Sequence, residues 1–214
     1  MAEVITTAPK SKEAKIKLLF VPLGELTLHL GDEETSAAIR AIANFVNRRS
    51  PGDKQMLPVS GADIASKHTD IVALRLPETK DAIDANFITN NVVGYVGAMK
   101  PIKHGARLMS EVGSLKVDDS LRGHGVGTIL FGGIIQKLQN EGLTPYAFCN
   151  SDSLPIAEKT GGREIKSADE IPSEALELCK DCPLYGKASS KKYGCCDTVM
   201  VWDALTETSQ TLSN

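Results

Sequence analysis

The chain has 214 residues and a mass of 22.9 kDa, enough for one domain with a substantial core, and its 42% hydrophobic content is typical of a globular protein. The net charge of −3, with Lys and Arg scattered evenly, argues against a nucleic-acid-binding surface. We expect a cytoplasmic protein with no membrane partner, because there is no secretory signal pattern and no run of about 20 apolar residues.

Hydrophobic periodicity predicts strands that alternate with helices. The order of elements indicates a mixed α/β fold, with an antiparallel run of strands before a crossover helix and further strands after it. The predicted elements are a strand over 16–23, a helix over 33–49, a loop over 50–69, strands over 71–76, 92–99 and 110–117, a helix over about 126–141, a strand over 144–150, a short helix over 153–161 and a strand over 198–204.

Both ends of the chain are polar, and we expect residues 1–14 and 205–214 to be flexible. A single domain is expected over residues 15–204. Within it, residues 166–196 form a cysteine-bearing insert for which the sequence indicates irregular structure.

The stretch VDDSLRGHGVGTILFGGIIQKLQ, residues 117–139, passes from a predicted strand through a glycine-rich turn into an amphipathic helix. The first amides of a helix have no partner within the helix, and the helix dipole adds positive charge there, so an anion such as a phosphate fits this position. Gly123, Gly125 and Gly127 let the backbone approach a ligand, and Arg122 adds a permanent charge. The stretch therefore predicts a phosphate-binding loop.

The helix after this loop has an apolar face in its sequence pattern. We expect that face to pack on the sheet and to hold the loop rigid. Its members are Val126, Leu130, Ile134 and Leu138 at four-residue intervals, with Phe131 and Ile135 beside them.

Three phosphate-binding motifs compete for the loop. The Walker pattern fails, because no Gly-Lys-Ser/Thr follows the turn. The dinucleotide pattern G-x-G-x-x-G is met at Gly123 and Gly125 but has Thr128 in place of the third glycine. The pattern Arg-x-x-Gly-x-Gly is met by Arg122, Gly125 and Gly127, and it resembles the pyrophosphate loop of the GNAT superfamily of acetyl-CoA-dependent N-acetyltransferases. A glycine-rich loop without a ligand is the remaining alternative.

The resemblance extends beyond the loop, over residues 92–165. SEVGSLKVDDSLRGHGVGTIL resembles the GNAT core strand, turn, loop and helix, and AFCNSDSLPIAEKTGG resembles the next strand and helix. The resemblance implies a GNAT-like acyl-CoA N-acyltransferase fold, with a central, mostly antiparallel sheet flanked by helices. It also implies residues that bind acetyl-CoA: the backbone of Leu115 and Val117 for the pantetheine arm, Asn150 beside CoA, and the amides of Arg122, Gly123, His124, Gly125, Val126 and Gly127 around the pyrophosphate.

Glu111 is the candidate catalytic residue. An alkyl amine is protonated at neutral pH, so its attack on a thioester requires a base. On an extended strand Glu111 shares a face with Gly113, Leu115 and Val117, and it matches the position at which many GNAT enzymes carry a catalytic glutamate. A strand-end carboxylate that faces solvent is the alternative. An amide of the same strand is expected to stabilise the oxyanion.

Two positions depart from the GNAT pattern. Ala157 stands where the family usually has the tyrosine that protonates the leaving thiolate, and Gly162 stands where it usually has a phenylalanine. Solvent, Tyr146, Tyr185 or Tyr193 could replace the missing tyrosine.

Four of the five cysteines lie in the insert. Cys179 and Cys182 have C-x-x-C spacing, and with Cys195 and Cys196 they could close a tetrahedral zinc site. A redox or regulatory thiol pair and unliganded cysteines are the alternatives. We interpret Cys149 as a buried small side chain. By resemblance, the insert borders the acceptor pocket and shapes which amine is accepted.

The sequence therefore predicts an acyl-CoA-dependent N-acyltransferase that acetylates a primary amine of a small molecule or a protein. The alternatives are a degenerate GNAT domain that binds CoA as a sensor or scaffold, and a protein whose loop holds another phosphate ligand. The sequence does not identify the amine. No nucleic-acid partner is expected, and the choice between monomer and homodimer stays open.

Overall fold

A computed structural model describes residues 3–7, 16–48, 58–77, 83–165, 167–180 and 198–203. It shows the mixed α/β fold predicted from the sequence, with a mostly antiparallel sheet flanked by helices. None of the helices in these segments is long and apolar enough to cross a membrane. The strands are β1 (Glu3–Thr7), β2 (Ile16–Val21), β3 (Thr69–Leu76), β4 (Val92–Ala98), β5 (Ile102–His104), β6 (Arg107–Val117), β7 (Thr144–Cys149), β8 (Arg163–Glu164) and β9 (Thr198–Val201). The helices are α1 (Leu23–Thr27), α2 (Asp32–Asn47), α3 (Gly61–Ala65), α4 (Ala85–Asn91), α5 (Val126–Asn140), α6 (Leu154–Lys159) and α7 (Ser173–Lys180), with 3₁₀ helices at Asp119–Leu121 and Ala168–Glu170.

The chain is organised as two compact units that are interleaved in sequence. The first consists of Met1–Gly97 and Ser114–Leu130, and the second of Ala98–Gly113 and Phe131–Asn214. The chain passes from one unit to the other within β6 and again within α5. No linker of the kind that separates independent domains lies at these points. The single domain expected over 15–204 stays a prediction.

The first unit has the strand order β1-β2-β3-β4-β6. β1 pairs antiparallel with β2, so part of the segment that was expected to be flexible, residues 1–14, is a strand. β2 pairs antiparallel with β3. The core of the unit is an apolar cluster from β2, β3, β4 and the helices α1 to α4, which includes Leu19, Phe45, Ile42, Ile64, Leu74, Ile88 and Tyr95.

Two short helices of this unit, α3 and α4, were not predicted. α3 lies in the segment 50–69, which was expected to be a loop. It begins with a reciprocal cap, in which Ser60 Oγ accepts from the Asp63 amide (3.1 Å) and the Asp63 carboxylate accepts from the Ser60 amide (2.6 Å). The Asp84 carboxylate caps α4 in a similar way. Each helix fully buries one apolar side chain, too few for a helical period to show in the sequence.

The second unit has the strand order β6-β7-β9-β8, with β5 and β6 forming a hairpin. β6 and β7 are parallel, in register from Met109↔Thr144 to Glu111↔Tyr146, and the other pairs are antiparallel. One face of this sheet carries an apolar cluster of Met109, Tyr146, Val199 and Val201 with Ile165, Ile171 and Ala175. Because Ala175 belongs to α7, the insert expected to be irregular is partly helical and packs on this face.

The other face of the same sheet packs against α5. Side chains alternate along β9, so Met200 and then Trp202 point away from the cluster that contains Val199 and Val201. The Trp202 ring lies 5.4 Å from that of Phe131 in α5, centroid to centroid. The predicted apolar face of α5 is confirmed, since all its members are at most 3% exposed.

Gly162 packs directly against the Trp202 ring. A Cβ atom at residue 162 would lie 2.7 Å from Cζ2 of Trp202 and 3.0 Å from the carbonyl oxygen of Ala157. The ring is held there by a hydrogen bond from its Nε1 to the Thr160 carbonyl (3.0 Å). Glycine is therefore required at position 162 by close packing.

We expect Gly162→Ala to lower the free energy of unfolding by about 1–3 kcal/mol, because the added methyl overlaps the indole ring. Chemical denaturation measures this loss. Gly24→Ala in α1 is the matched control, because a Cβ there meets nothing within 4 Å. An unchanged stability of Gly162→Ala would contradict the packing described here.

Candidate active site

The glycine-rich loop connects β6 to α5. Its first turn is the 3₁₀ helix Asp119–Leu121, which Asp118 caps by accepting hydrogen bonds from the amide (3.0 Å) and the hydroxyl (2.6 Å) of Ser120. The Asp118 amide donates to the carbonyl of Val93 in β4 (2.8 Å). The start of the loop is therefore fixed to the sheet of the first unit.

Two glycines turn the loop into α5. Gly123 has a φ of +78° and Gly125 one of +82°, in the left-handed region that favours glycine. The Gly125 carbonyl accepts the hydrogen bond of the Ile129 amide (3.0 Å), which starts the helix. The turn and the start of the helix carry a row of backbone amides, those of Gly123, Gly125, Val126, Gly127 and Thr128. Within the part of the chain that the structure describes, none of these amides donates a hydrogen bond to a protein acceptor.

Arg122 and His124 add ionisable side chains to the loop. Arg122 Nε lies 2.9 Å from Asp119 Oδ1 in an exposed ion pair. A surface pair of this kind contributes less than about 1 kcal/mol, so the guanidinium can turn to a phosphate at small cost. His124 Nδ1 lies 3.1 Å from the Arg122 carbonyl, which holds the imidazole against the backbone of the loop. Arg122 is therefore the better placed of the two to bind an anion.

Two arginines near the loop were missed by sequence reasoning. Arg75 at the end of β3 donates from Nη2 to Ser120 Oγ (3.3 Å). Burial alone would raise the pKa of Asp118, but the hydrogen bonds from Ser120 and the charges of Arg75 and Arg48 outweigh it and hold that pKa below its ordinary value. Asp118 therefore stays ionised at neutral pH and keeps the loop capped. No sequence signal connects these arginines with a loop so distant along the chain.

β6 has an unusual backbone angle at Ser114, whose φ is +57°. Among the described residues no other non-glycine residue has a positive φ, and the angle costs about 1–2 kcal/mol. Leu115 and Val117, which were predicted to bind the pantetheine arm, follow it and are half-buried. Serine is not one of the residue types that favour this angle, so the sequence contains no signal for it.

Glu111 lies within β6, in the second unit, and is half-buried. The strand extends on both sides of it, so the alternative of an exposed strand-end carboxylate does not describe this residue. Its Cα lies opposite that of Tyr146 in β7, and its carbonyl accepts from the Met99 amide (2.8 Å). The carboxylate extends along the strand, because its Oε1 lies 3.8 Å from the place that a Cβ at Gly113 would occupy.

Asn150, which was predicted to contact CoA, follows β7 in the second unit. Its Oδ1 accepts hydrogen bonds from the amides of Asp152 (2.9 Å) and Ser153 (3.0 Å). Its own amide donates to Ser153 Oγ (3.0 Å). The side-chain oxygen is therefore engaged in starting α6, and the contact with CoA stays a prediction.

The candidates for the missing tyrosine differ in their surroundings. Ala157 in α6 is fully buried and supplies no proton donor. Tyr146 is 1% exposed, and its ring packs edge-on against Phe148 with the centroids 6.1 Å apart. Tyr185 and Tyr193 lie outside the described residues. Tyr146 alone of these tyrosines therefore has a defined place, opposite Glu111 in the sheet.

The cysteines separate into one that the structure describes fully and four that it does not. Cys149 is buried, as predicted, and burial raises the pKa of its thiol to about 11, so it does not act as a nucleophile at neutral pH. The side chain of Cys179 and the residues Cys182, Cys195 and Cys196 lie outside the described part. Within that part no three His, Cys, Asp or Glu side chains are grouped to hold a metal ion, so nothing supports the zinc prediction.

Residues 67–161 match the model of the acetyltransferase (GNAT) family. The matched segment runs from just before β3 to just after α6, and it contains Glu111, the glycine-rich loop and Asn150. None of the curated protein sequences compared with the chain matches it significantly.

Several solved structures share the fold at low sequence identity. The NatC complex bound to Gag peptide and CoA contains a chain that is 17% identical, with a TM-score of 0.53 over 88% of this chain and 99% of that one. Rv2747 from Mycobacterium tuberculosis, in complex with CoA and NLQ, is 16% identical, with a TM-score of 0.51 over 79% and 96%. Tetrahymena GCN5 is 15% identical, with a TM-score of 0.52 over 87% and 96%.

The family match confirms the resemblance inferred from the loop and its surroundings. The solved structures add that the fold is shared over most of the chain. Residues 67–161 therefore match a GNAT acetyltransferase domain in sequence, within a chain whose fold is shared with solved structures of that kind.

Proposed function

We propose that the protein transfers the acetyl group of acetyl-CoA to a primary amine by direct attack, with Glu111 as the general base. The observation that carries this proposal is the row of amides at the start of α5, for which the described chain provides no acceptor. Such amides, in a GNAT domain, suit the pyrophosphate of CoA. NatC and Rv2747, which have the same fold, were both solved with CoA.

Acetyl-CoA would bind mainly through backbone groups. The pyrophosphate accepts hydrogen bonds from the amides between Gly123 and Thr128, and Arg122 adds a charge that the exposed pair with Asp119 releases easily. By resemblance to the family, the backbone of Leu115 and Val117 pairs with the pantetheine arm. This arrangement directs the thioester along β6.

The reaction starts from an ammonium ion, because an alkyl amine has an ordinary pKa near 10.4. Glu111, directly or through one water, accepts a proton and frees the nitrogen lone pair. The nitrogen attacks the thioester carbon, a C–N bond forms, and the carbonyl oxygen becomes an oxyanion. The C–S bond then breaks, the nitrogen loses its second proton and the CoA thiolate gains one. The products are the N-acetyl amine, CoA and one released proton.

Ser114 supports a backbone donor for the oxyanion. Its left-handed φ changes the direction of the peptide that follows it in β6. We assign the Leu115 amide at this point as the donor to the oxyanion. One preorganised donor of this kind typically accounts for about 10²- to 10³-fold in turnover.

The leaving thiolate takes its proton from solvent in this proposal. Ala157 carries no donor, and Tyr146 is packed in the apolar cluster of the second unit. A thiol has an ordinary pKa of about 8.5, so the thiolate is a competent leaving group without a dedicated acid.

Gly125→Val is expected to weaken the binding of CoA about tenfold or more. A β-branched residue does not adopt a φ of +82°, so the chain must rotate the amides that follow residue 125 away from the ligand. Isothermal titration calorimetry with CoA measures the change in affinity.

Gly142→Val is the matched control for this variant. Gly142 has a similar φ of +74° and also has nothing within 4 Å of an added Cβ. It follows the other end of α5, whose 15 residues span about 22 Å. The control should lose comparable stability and keep its CoA affinity. Equal CoA affinities of the two variants would show that the loop is not the binding site.

Glu111→Gln is expected to reduce turnover about 10²- to 10⁴-fold and to leave CoA affinity unchanged, because the amide keeps the shape and loses the basicity. Thiol release from acetyl-CoA is measured with a panel of primary amines across the pH range. In the wild type, kcat/KM should rise from acidic pH as the carboxylate ionises. This acidic limb should be absent in the variant.

Glu164→Gln, an exposed glutamate of β8 in the same unit, is the matched control and should retain full turnover. Near-normal turnover of Glu111→Gln would remove Glu111 from the mechanism. A wild-type chain that binds CoA and acetylates no amine in the panel would favour the degenerate GNAT domain instead.

A further inference from the structure

We propose that α7 forms an apolar wall on the acceptor side of the site, in which Leu176 and Phe148 select primary amines whose short alkyl chain ends in an apolar group. This inference rests on the proposed N-acetyltransferase function and adds a substrate class to it. It depends on a juxtaposition in the second unit, where α7 packs on the face of the sheet that also carries Glu111.

The strand register places Glu111 on this face. Paired residues of neighbouring strands direct their side chains to the same side of a sheet, and the pairs here are Met109↔Thr144 and Glu111↔Tyr146. Met109 and Tyr146 both belong to the apolar cluster of this unit. Glu111 is two residues beyond Met109 along β6, so its side chain emerges on the same face.

α7 and the segment before it pack on that cluster. Ile171 and Ala175 are 1% exposed within it, and Leu176 packs against it while remaining partly exposed. Met109 and Tyr146 provide the strand side of these contacts. α7 therefore lies over the strands that carry Glu111 and not on the face that contacts α5.

Phe148 continues the apolar surface along β7. It lies two residues beyond Tyr146, about 6.6 Å along the strand, and its ring contacts that of Tyr146 edge-on. Like Leu176, it packs against the cluster and is only partly buried. Among the described residues, Phe148 and Leu176 are thus the apolar side chains next to this cluster that keep accessible surface for a substrate.

Hydrogen bonds and ion pairs hold the segment just before α7 in place. Arg163 donates to Glu170 Oε2 (2.8 Å) and to both carboxylate oxygens of Asp203 (3.0 and 3.2 Å). His104 Nε2 lies 2.7 Å from the Asp169 carbonyl. These contacts fix the 3₁₀ helix that precedes α7, so the wall has a defined position.

The charge of this segment suits an ammonium substrate. Residues 167–180 contain four carboxylates and one lysine, Lys180. Glu170 forms an ion pair with Arg163, and the side chains of Asp169 and Glu174 are exposed. Exposed carboxylates on one side raise the local concentration of a cation, and the apolar wall then discriminates among cations by their substituents.

The test compares two isosteric primary amines, butylamine and 3-amino-1-propanol, which differ in a terminal methyl or hydroxyl group. The wild type should prefer butylamine about tenfold in kcat/KM, since a pocket discriminates a small apolar group by roughly that factor. Leu176→Ala should reduce the preference to about threefold or less, through a higher KM for butylamine. Leu176→Met should restore it, and Ser173→Ala, at an exposed position of the same helix, should leave it unchanged.

Circular dichroism and CoA affinity confirm that each variant is folded. Equal use of the two amines by the wild type, or an equal loss for both amines in Leu176→Ala, overturns the proposed wall. If neither amine is acetylated, binding of butylamine to the CoA-loaded chain is measured by equilibrium dialysis. The wall is supported if Leu176→Ala weakens this binding and Leu176→Met retains it. The wall is overturned if butylamine does not bind, or if its binding is the same in all variants of residue 176. Failure of the acetyl transfer itself is registered separately, as the absence of thiol release.

Discussion

The start of α5 is the constraint on which the site depends. The first amides of a helix cannot be satisfied inside it, and here two glycines with positive φ place several such amides in a row after β6. A ligand with adjacent anionic groups satisfies several of them at once, and the helix dipole adds to the attraction. The geometry of the amides has to be fixed in advance, because each displaced donor loses a charge-assisted hydrogen bond.

The first unit supplies that rigidity in two ways. Asp118 caps the turn and is kept ionised by Ser120 and Arg75. Close packing fixes the helix behind it, since a Cβ at Gly94 in β4 would stand 2.8 Å from Leu130 Cδ1 and 3.0 Å from Ala73 Cβ. α5 therefore packs closely on β4 through Leu130. The glycine at position 94 serves this contact rather than any bend in the strand.

The sequence predicted correctly those elements whose residues follow a regular spacing. α5 has an apolar residue at every fourth position, and the loop has a motif with fixed spacing, so both were placed within one residue. The helices α3 and α4 are too short to show a period and depend on caps at Ser60 and Asp84. The φ of Ser114 has no local signal, because the surrounding structure imposes it. α7 was missed for a different reason: the cysteines of the insert suggested a metal-stabilised irregular segment, whereas its apolar residues pack on an existing cluster.

One of the two departures from the GNAT pattern has a packing cause. The family usually has a phenylalanine where this chain has Gly162, and here the ring of Trp202, which follows β9, occupies the space next to that residue. Its ring would overlap any side chain at 162, and the Gly162 amide donates to the Ala157 carbonyl (3.0 Å). The indole thus fills the space that a side chain at position 162 would occupy. Glycine is what this packing requires, so its presence there is not by itself a sign of a degenerate site.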